Sequence, residues 1–214
     1  MTKRVRIGVL VSGRGSNLGA LCEAAKRSDF PGEIALVLSN RRDAGALGVA
    51  RSWHIPADAM PVSDYDDDTR ARDRAMRDRF RGAGVELIVC AGYNRVLSDE
   101  FLDAFCDAII NIHPSLLPAF GGGMHAVEDA LAYGVHITGC TVQLLEPGIP
   151  DGGPIISQSA VRVEADDDRD SLLQKIHEQE WRLLPEAVQL WCQGRIQRDG
   201  RVVRVTAPAT PAAR

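Results

Sequence analysis

The sequence predicts an α/β protein with a doubly wound, mostly parallel sheet and with antiparallel strands in its C-terminal part. Short apolar runs alternate with segments of helical spacing through the first two thirds of the 214 residues, which is the pattern of repeated βα units. After Gly134, two alternating segments flank a loop rich in glycine and proline, which is typical of antiparallel strands. The length suits one domain with one sizeable core. We expect that domain to span residues 1–206, followed by a disordered tail at 207–214.

The first part of the chain supplies most of the predicted parallel sheet. Apolar runs predict strands at residues 5–11, 34–38, 85–91 and 108–113, with a weaker extended stretch at 55–60. Apolar residues at helical spacing predict helices at residues 17–27, 44–52 and 67–81. The last of these helices is strongly charged, so we expect it to be exposed on most faces.

The pairing is predicted to become antiparallel after these units. Residues 135–145 and 155–163 both alternate in the manner of strands. The loop between them is dense in turn-forming residues and carries Asp151.

The longest helix is predicted near the C-terminus, at residues 169–193. Pro185 is expected to kink or divide it, because proline lacks the N–H that continues a helix. Gly194 fits the position just after the helix end. A short hairpin is expected at residues 196–205, around Asp199-Gly200.

Composition and charge argue against several classes of protein. The chain is 45% hydrophobic and 25% charged, with a net charge of −4 and no basic stripe, so we expect no nucleic-acid partner. No apolar run approaches the roughly 18 residues of a membrane span, and residues 1–11 lack the features of a signal peptide. We therefore expect a cytoplasmic protein. Five cysteines without a Cys-x-x-Cys pair argue against a disulfide framework or a zinc cluster. The cysteines expected to be buried and reduced are Cys22, Cys90, Cys140 and Cys192.

The segment Asn-Ile-His-Pro-Ser-Leu-Leu-Pro at residues 111–118 is the most informative stretch of the chain. It follows two isoleucines, so it continues a buried strand, and alternation places Asn111 and His113 on one face. Pro114 is expected to end the strand. An amide and an imidazole thus meet at the carboxyl edge of a sheet, which is where open α/β sheets bind ligands.

A glycine-containing loop, Ser-Gly-Arg-Gly-Ser-Asn-Leu, joins the first strand to the first helix. Free N–H groups at the helix start favour a phosphate there, and Ser16 or Asn17 is expected to cap the helix. The alternative is a plain strand-to-helix turn, and the loop alone leaves both open. It is not a dinucleotide fingerprint, because Leu18 stands at the third glycine position.

Asn111, His113 and Asp151 together are the parts needed for acyl transfer to an amine. An amide donates without charge, a histidine donates a proton or stabilises an oxyanion, and an aspartate orients the histidine. The chain has no Gly-x-Ser-x-Gly elbow, which favours direct transfer without an acyl-enzyme. Taken singly, His113 is more often structural and Asp151 more often a turn former. Sequence spacing does not show that the three residues meet.

Three motifs, taken together, resemble a known family. The loop at residues 12–18, the segment at 111–118 and the Asp-Gly-Gly-Pro-Ile-Ile segment at 151–156 are similar to phosphoribosylglycinamide formyltransferase, in the family's order. The resemblance runs from about residue 4 to residue 195. It implies a formyltransferase-like Rossmann variant. It also implies the third step of purine synthesis, in which the amine of glycinamide ribonucleotide takes the formyl group of 10-formyltetrahydrofolate, without a metal.

The resemblance further implies roles for individual residues. Asn111 and protonated His113 would stabilise the tetrahedral oxyanion, while Asp151 would support the imidazolium and help to move the amine proton through a water. The residues implied at the ribonucleotide are Gly15, Ser16 and Asn17 for its phosphate and Glu180 for its glycinamide or ribose part. The residues implied at the folate are Arg70, Asn94, Arg95, Val96, Leu97 and Asn111.

The chain departs from the family pattern at four places around this site. Residues 120–125 are one residue longer than the usual segment and lack its proline. Gln143 stands where a histidine is common, Asn94 stands where an apolar residue is common, and Pro150 is an added residue before Asp151. None of these departures removes Asn111, His113 or Asp151.

Two other functions remain open from the sequence. One is a formyltetrahydrofolate hydrolase or another folate-dependent formyltransferase, which share the Asn-x-His and Asp pattern. The other is a non-catalytic nucleotide-binding module, which would need the loop at residues 12–17 but not the three catalytic candidates together. The expected partners are small-molecule substrates, and the expected assembly is a monomer or a homodimer.

Overall fold

The computed structural model describes residues 3–148 and 150–207. Its main sheet has seven strands: β1 (Val5–Val11), β2 (Gly32–Ser39), β3 (Ala57–Ala59), β4 (Leu87–Cys90), β5 (Ile109–His113), β6 (Ile137–Leu144) and β7 (Ile155–Arg162). A separate hairpin consists of β8 (Ile196–Asp199) and β9 (Val202–Val205). The helices are α1 (Ser16–Ala25), α2 (Gly45–Ser52), α3 (Thr69–Gly82), α4 (Asp99–Ala104), α5 (Ala126–Tyr133) and α6 (Arg169–Cys192).

The sheet has the strand order β3-β2-β1-β4-β5-β6-β7. The first five strands in the chain are parallel, whereas β6 pairs antiparallel with both β5 and β7. The predicted fold class, mostly parallel with antiparallel strands in the C-terminal part, is therefore confirmed. The carboxyl ends of β1, β4 and β5 lie at one edge, which brings their following loops together.

Two apolar layers pack on the two faces of the sheet, because side chains alternate along each strand. Ile7, Val9 and Val11 of β1 face the layer that contains α1, α2 and α6. Leu10 faces the other layer, which contains α3 and α4. Burying a side chain of this size stabilises the fold by about 1.5–3 kcal/mol.

The strand predictions agree with the structure to within a few residues, and β1 matches its predicted bounds. Two helices, α4 and α5, were not predicted. Helix α4 has only six residues, which is too short to display a clear helical period, whereas α5 has eight, as many as the predicted α2. The predicted hairpin is present, with Gly200 and Arg201 between its paired ends Asp199 and Val202.

The charged helix α3 is exposed on most faces, as predicted, but its inner face buries two charged residues that the sequence did not indicate. Arg72 and Asp73 are 1% and 0% exposed, beside the buried Met76 and Phe80. The guanidinium of Arg72 donates to Oδ1 of Asp73 at 2.8 and 3.1 Å. Oδ2 of Asp73 accepts a hydrogen bond from the backbone N–H of Ser98 at 2.7 Å. This buried ion pair therefore ties α3 to the start of α4.

The expected division of the longest helix at Pro185 does not occur. Helix α6 continues through this buried proline without interruption. Gly194 follows its C-terminal cap with a φ of 65°, as predicted for the position after a helix. Of the predicted tail, residues 208–214 lie outside the described part of the chain.

The cysteines are free in the described part of the chain. Cys22, Cys90 and Cys140 are buried as expected, whereas Cys192 is only half-buried. Burial raises the pKa of the Cys90 thiol to about 12, so it is not a nucleophile near neutral pH. Among the described residues, none of the helices has the length and apolar character needed to cross a membrane.

Candidate active site

A cavity of about 530 Å³ opens beside the carboxyl ends of β4 and β5. Residues 94–97 after β4 line it, as do residues 122–124 and part of the loop before β7. Asn111, His113 and Asp151 all line this cavity. The structure thus brings together the three residues that sequence spacing could not connect.

His113 is the last residue of β5, where Pro114 ends the strand as expected. Its residue is only 6% exposed. Nδ1 lies 3.4 Å from Oδ2 of Asp151, and Nε2 lies 3.1 Å from the backbone oxygen of Phe120. Nε2 is thus within hydrogen-bond distance of the carbonyl of Phe120, and a protonated ring would form an ion pair with Asp151.

The carboxylate of Asp151 is held from two further directions. The backbone N–H of Gly122 donates to Oδ2 at 2.9 Å, and Nε2 of Gln143 donates to Oδ1 at 3.1 Å. Asp151 itself has a φ of 54°, an unfavourable conformation for a residue with a Cβ. The added Pro150 therefore does not carry the carboxylate away from His113.

Gln143 places an amide directly against this carboxylate. It is fully buried in β6, opposite Asn111 in the pairing of β5 with β6. Within the described part of the chain, its Oε1 atom has no hydrogen-bond partner. A neutral donor thus occupies the position where the family pattern commonly has a histidine.

Asn94 connects the cavity wall to two neighbouring strand ends. Its backbone N–H donates to Oγ of Ser12 at 2.9 Å, and Ser12 donates to Oδ1 of Asn40 at 2.6 Å. Nδ2 of Asn40 then donates to Oδ1 of Asn94 at 3.0 Å, which closes a hydrogen-bonded ring of three residues. Sequence reasoning missed Ser12 and Asn40. Their positions directly after β1 and β2 were the available indication, since these ends share one edge.

The remaining residues implied at the folate divide between two places. Arg95, Val96 and Leu97 line the cavity, where Leu97 is buried and Val96 is 70% exposed. Arg70 does not line it. Arg70 lies at a neighbouring depression of about 340 Å³, which it shares with residues 97–100.

The predicted phosphate loop has a different cap from the one expected. Gly15 is the N-cap of α1, with a φ of 92° and no side-chain capping bond. A Cβ at this position would lie 2.7 Å from Cα of Ala46, so only glycine fits. The expectation that Ser16 or Asn17 caps the helix is wrong. Asn17 instead donates from Nδ2 to Oε2 of Glu180 at 2.8 Å.

Glu180 is a buried acid on the inner face of α6. It is 3% exposed, and burial raises the pKa of its carboxyl to about 7, against the opposing hydrogen bond from Asn17. His177, one turn earlier, lies 3.9 Å from the same oxygen, and burial lowers the pKa of its ring. Oδ1 of Asn17 is buried and unpaired among the described residues. Asn17, at the start of α1, and Glu180, on α6, thus form a buried polar pair in which Oδ1 of Asn17 can still accept a hydrogen bond.

No group of three or more His, Cys, Asp or Glu side chains in residues 3–148 and 150–207 has the arrangement of a metal site. The polar groups that line the cavity include amides, an imidazole, carboxylates, one guanidinium, the hydroxyl of Tyr93 and the thiol of Cys90. These groups suit proton transfer and hydrogen bonding to an organic substrate.

Comparison with known proteins places this geometry in a family. The sequence model of the formyl transferase family matches residues 5–188. Phosphoribosylglycinamide formyltransferase of Bacillus subtilis is 36% identical over 183 residues, which cover 86% of this chain and 92% of that protein. The crystal structure of glycinamide ribonucleotide transformylase 1 from Symbiobacterium toebii superposes with a TM-score of 0.92 at 41% identity, covering 97% of this chain and 96% of that one.

The chain therefore belongs to the formyl transferase family. The resemblance to phosphoribosylglycinamide formyltransferase is confirmed along most of the length of such relatives.

Some relatives are far longer than this chain. The trifunctional purine biosynthetic protein adenosine-3 of Drosophila melanogaster is 38% identical over 90% of this chain, which spans only 14% of that protein. The chain spans between 14% and 19% of three such trifunctional relatives. A formyltetrahydrofolate deformylase from Pseudomonas syringae shares the fold at 24% identity, with a TM-score of 0.87.

Proposed function

We propose that the protein transfers the formyl group of 10-formyltetrahydrofolate to the amine of glycinamide ribonucleotide, in the third step of purine synthesis. The observation that carries the proposal is the meeting of Asn111, His113 and Asp151 at one cavity. It is supported by relatives at 31–41% identity that are named for this activity. The hydrolase alternative is less favoured, because the deformylase is only 24% identical.

The reaction runs by direct attack of the amine nitrogen on the formyl carbon. A new C–N bond forms and the formyl oxygen becomes negative. The amide of Asn111 and the protonated ring of His113 donate hydrogen bonds to that oxygen. The bond from the formyl carbon to N10 of the folate then breaks, N10 gains a proton, and the amine loses one.

Asp151 assists in two ways under this proposal. Its carboxylate stabilises the imidazolium of His113, and through a water it accepts the proton that leaves the amine. Support comes from the contacts with Gly122 and Gln143, which fix the carboxylate beside the ring. On substrate binding, Nε2 of His113 gives up its bond to the carbonyl of Phe120 and donates to the formyl oxygen instead, because both acceptors compete for this one N–H group.

The acceptor ribonucleotide binds at the start of α1. The backbone N–H groups of Gly15, Ser16 and Asn17 hold its phosphate, because no side chain caps these first turns. Glu180 accepts a hydrogen bond from the glycinamide or from a ribose hydroxyl. Its burial and its bond to Asn17 support this assignment.

The formyl donor binds in the cavity of about 530 Å³. Asn94, Arg95, Val96, Leu97 and Asn111 form its contacts there. Arg70, at the neighbouring depression that also includes Leu97, meets the outer end of the folate.

The proposal also covers the domain organisation, the compartment and the assembly of the protein. One continuous sheet covered on both faces supports a single domain over residues 1–206. We place this domain in the cytoplasm, as a monomer or a homodimer that acts on small molecules and not on nucleic acid. Reduced thiols at the five cysteines are compatible with that compartment.

A formyl-transfer assay with three arms tests the proposal. The full chain is incubated with both substrates, with the folate alone, and with the ribonucleotide alone. Formylglycinamide ribonucleotide formed only in the first arm supports the proposal. Folate turnover without the ribonucleotide identifies a hydrolase, and ribonucleotide binding without any turnover identifies a non-catalytic module. Either of the last two results overturns it.

A further inference from the structure

The hairpin of β8 and β9 contacts the loop that carries Asp151, although it lies beyond the residues 5–188 that match the family. We call residues 145–154, between β6 and β7, the Asp151 loop. Two arginines of the hairpin, Arg198 and Arg201, bond to this loop at separate points.

Arg198 reaches the first half of the Asp151 loop. Its Nη2 atom lies 2.5 Å from Oε2 of Glu146, a residue that lines the cavity. Its Nη1 atom donates to Oδ1 of Asp107 at 2.6 Å, and its Nε donates to the carbonyl of Gly200 at 2.8 Å. One guanidinium thus joins the hairpin turn, the turn before β5 and the Asp151 loop, using its fixed fork of donors.

Arg201 reaches the second half of the same loop. Its Nη1 atom donates to the carbonyl of Gly152 at 2.5 Å. Gly152 directly follows Asp151, so this bond fixes the backbone next to the carboxylate. The two arginines therefore hold the loop on both sides of Asp151.

The loop needs such support because of its backbone conformation. Asp151 has a φ of 54°, and a non-glycine residue stays in this region only when its surroundings enforce it. The contacts with Gly122 and Gln143 act on the side chain. The bond from Arg201 acts on the backbone, at the residue next to Asp151.

We propose that Arg198 and Arg201 are positioning residues, through which the C-terminal hairpin holds Asp151 against His113. The role in turnover rests on the proposed function, whereas the role in ordering the loop does not. Neither arginine lines the cavity, so each acts through the loop. A misplacement of a catalytic group by about 1 Å can lower a rate about 100-fold.

Arg204 provides a matched control on the same hairpin. Its side chain is 69% exposed and lies 3.7 Å from Asp199, within the hairpin itself. It has the same charge as the two positioning residues, but its ion partner is not in the Asp151 loop. Arg204→Ala therefore reproduces the loss of a surface arginine without releasing the loop.

The test combines hydrogen exchange with kinetics on Arg198→Ala, Arg201→Ala and Arg204→Ala in the full chain. In the first two variants, we expect the backbone amides of residues 145–154 to exchange faster and kcat to fall about 10-fold or more. The KM for the ribonucleotide should be unchanged, because Asn17 and Glu180 are untouched. Arg204→Ala should match the wild type in both measurements.

Lysine variants separate a specific contact from a general effect of charge. Arg201→Lys should restore slow exchange, since one donor suffices for the carbonyl of Gly152. Arg198→Lys should not restore slow exchange, because an ammonium group cannot reproduce the guanidinium geometry that reaches three acceptors at once. Wild-type exchange and kcat in Arg198→Ala and Arg201→Ala would overturn the inference. If the wild type itself transfers no formyl group, the proposed function fails, and exchange alone still decides the role of the hairpin.

Discussion

Nδ1 of His113 lies 3.4 Å from Oδ2 of Asp151, at the wall of a cavity that Asn111 also lines. His113 belongs to a sheet strand, whereas Asp151 belongs to a loop with a strained backbone. Because the strand fixes the position of His113, the distance between the two side chains depends on what holds Asp151.

Replacing Gln143 with leucine should lower kcat about 10-fold, because the carboxylate of Asp151 loses one of its two positioning donors. The KM values for both substrates should change little, since Gln143 does not line the cavity. Steady-state kinetics of Gln143→Leu measure this split. Gln143→His restores a donor and should recover part of kcat. Equal kcat in wild type and Gln143→Leu would show that Asp151 needs no help from this amide.

Asn17→Ala should mainly raise the KM for the ribonucleotide. Asn17 does not cap α1, so the effect comes from the loss of its side chain from the phosphate loop and of its bond to Glu180. The KM for the folate should stay near the wild-type value. Initial rates with each substrate varied in turn measure both constants. A selective loss of folate affinity would show that the phosphate site lies elsewhere.

Glu180 should make the protein less stable as the pH rises. Its folded pKa of about 7 exceeds the ordinary value of 4.5, so the folded state binds more protons than the unfolded state between these values. Its contribution is present below pH 4.5 and is lost as the pH rises through about 7, by an amount on the order of 3 kcal/mol.

Glu180→Gln provides the comparison for this titration. Denaturant unfolding of both proteins between pH 5 and pH 8, at roughly half-unit steps, should show the glutamine variant gaining stability relative to the wild type. A constant difference across that range would mean that Glu180 keeps an ordinary pKa.

Asp73→Ala should destabilise the protein by about 3–5 kcal/mol, because it leaves the guanidinium of Arg72 buried without its partner. It also frees the backbone N–H of Ser98, next to the cavity wall at Leu97. Urea unfolding measures the loss. The control is Asp78→Ala on the same helix, where a 63% exposed carboxylate pairs with Arg77 and little change is expected. Similar losses in both variants would rule out a special role for the buried pair.

The sequence was most informative where apolar runs are buried on both faces. Strand β1 is the clearest case, because five of its seven residues are buried and Arg6 is the only charged residue in the run. Helix α4 was not predicted because its six residues span fewer than two turns. The burial of Arg72 was not predicted for another reason: a charged residue in a charged helix is ordinarily exposed.

The residues of the candidate site could be predicted from the sequence, but the contacts between them could not. Motifs indicated Asn111, His113 and Asp151, and the structure brings them to one cavity. The bond between Asn17 and Glu180 joins residues 163 positions apart, which no local pattern encodes. The ring of Ser12, Asn40 and Asn94 likewise depends on three strand ends meeting at one edge.

The turnover of His113→Ala tests the central claim most directly. With both substrates saturating, the account predicts a kcat about 10²–10⁴ lower than that of the wild type, since the oxyanion loses its charged donor. His136→Ala removes an exposed histidine outside the cavity and should leave kcat unchanged. A folded His113→Ala variant with the kcat of the wild type would contradict the account.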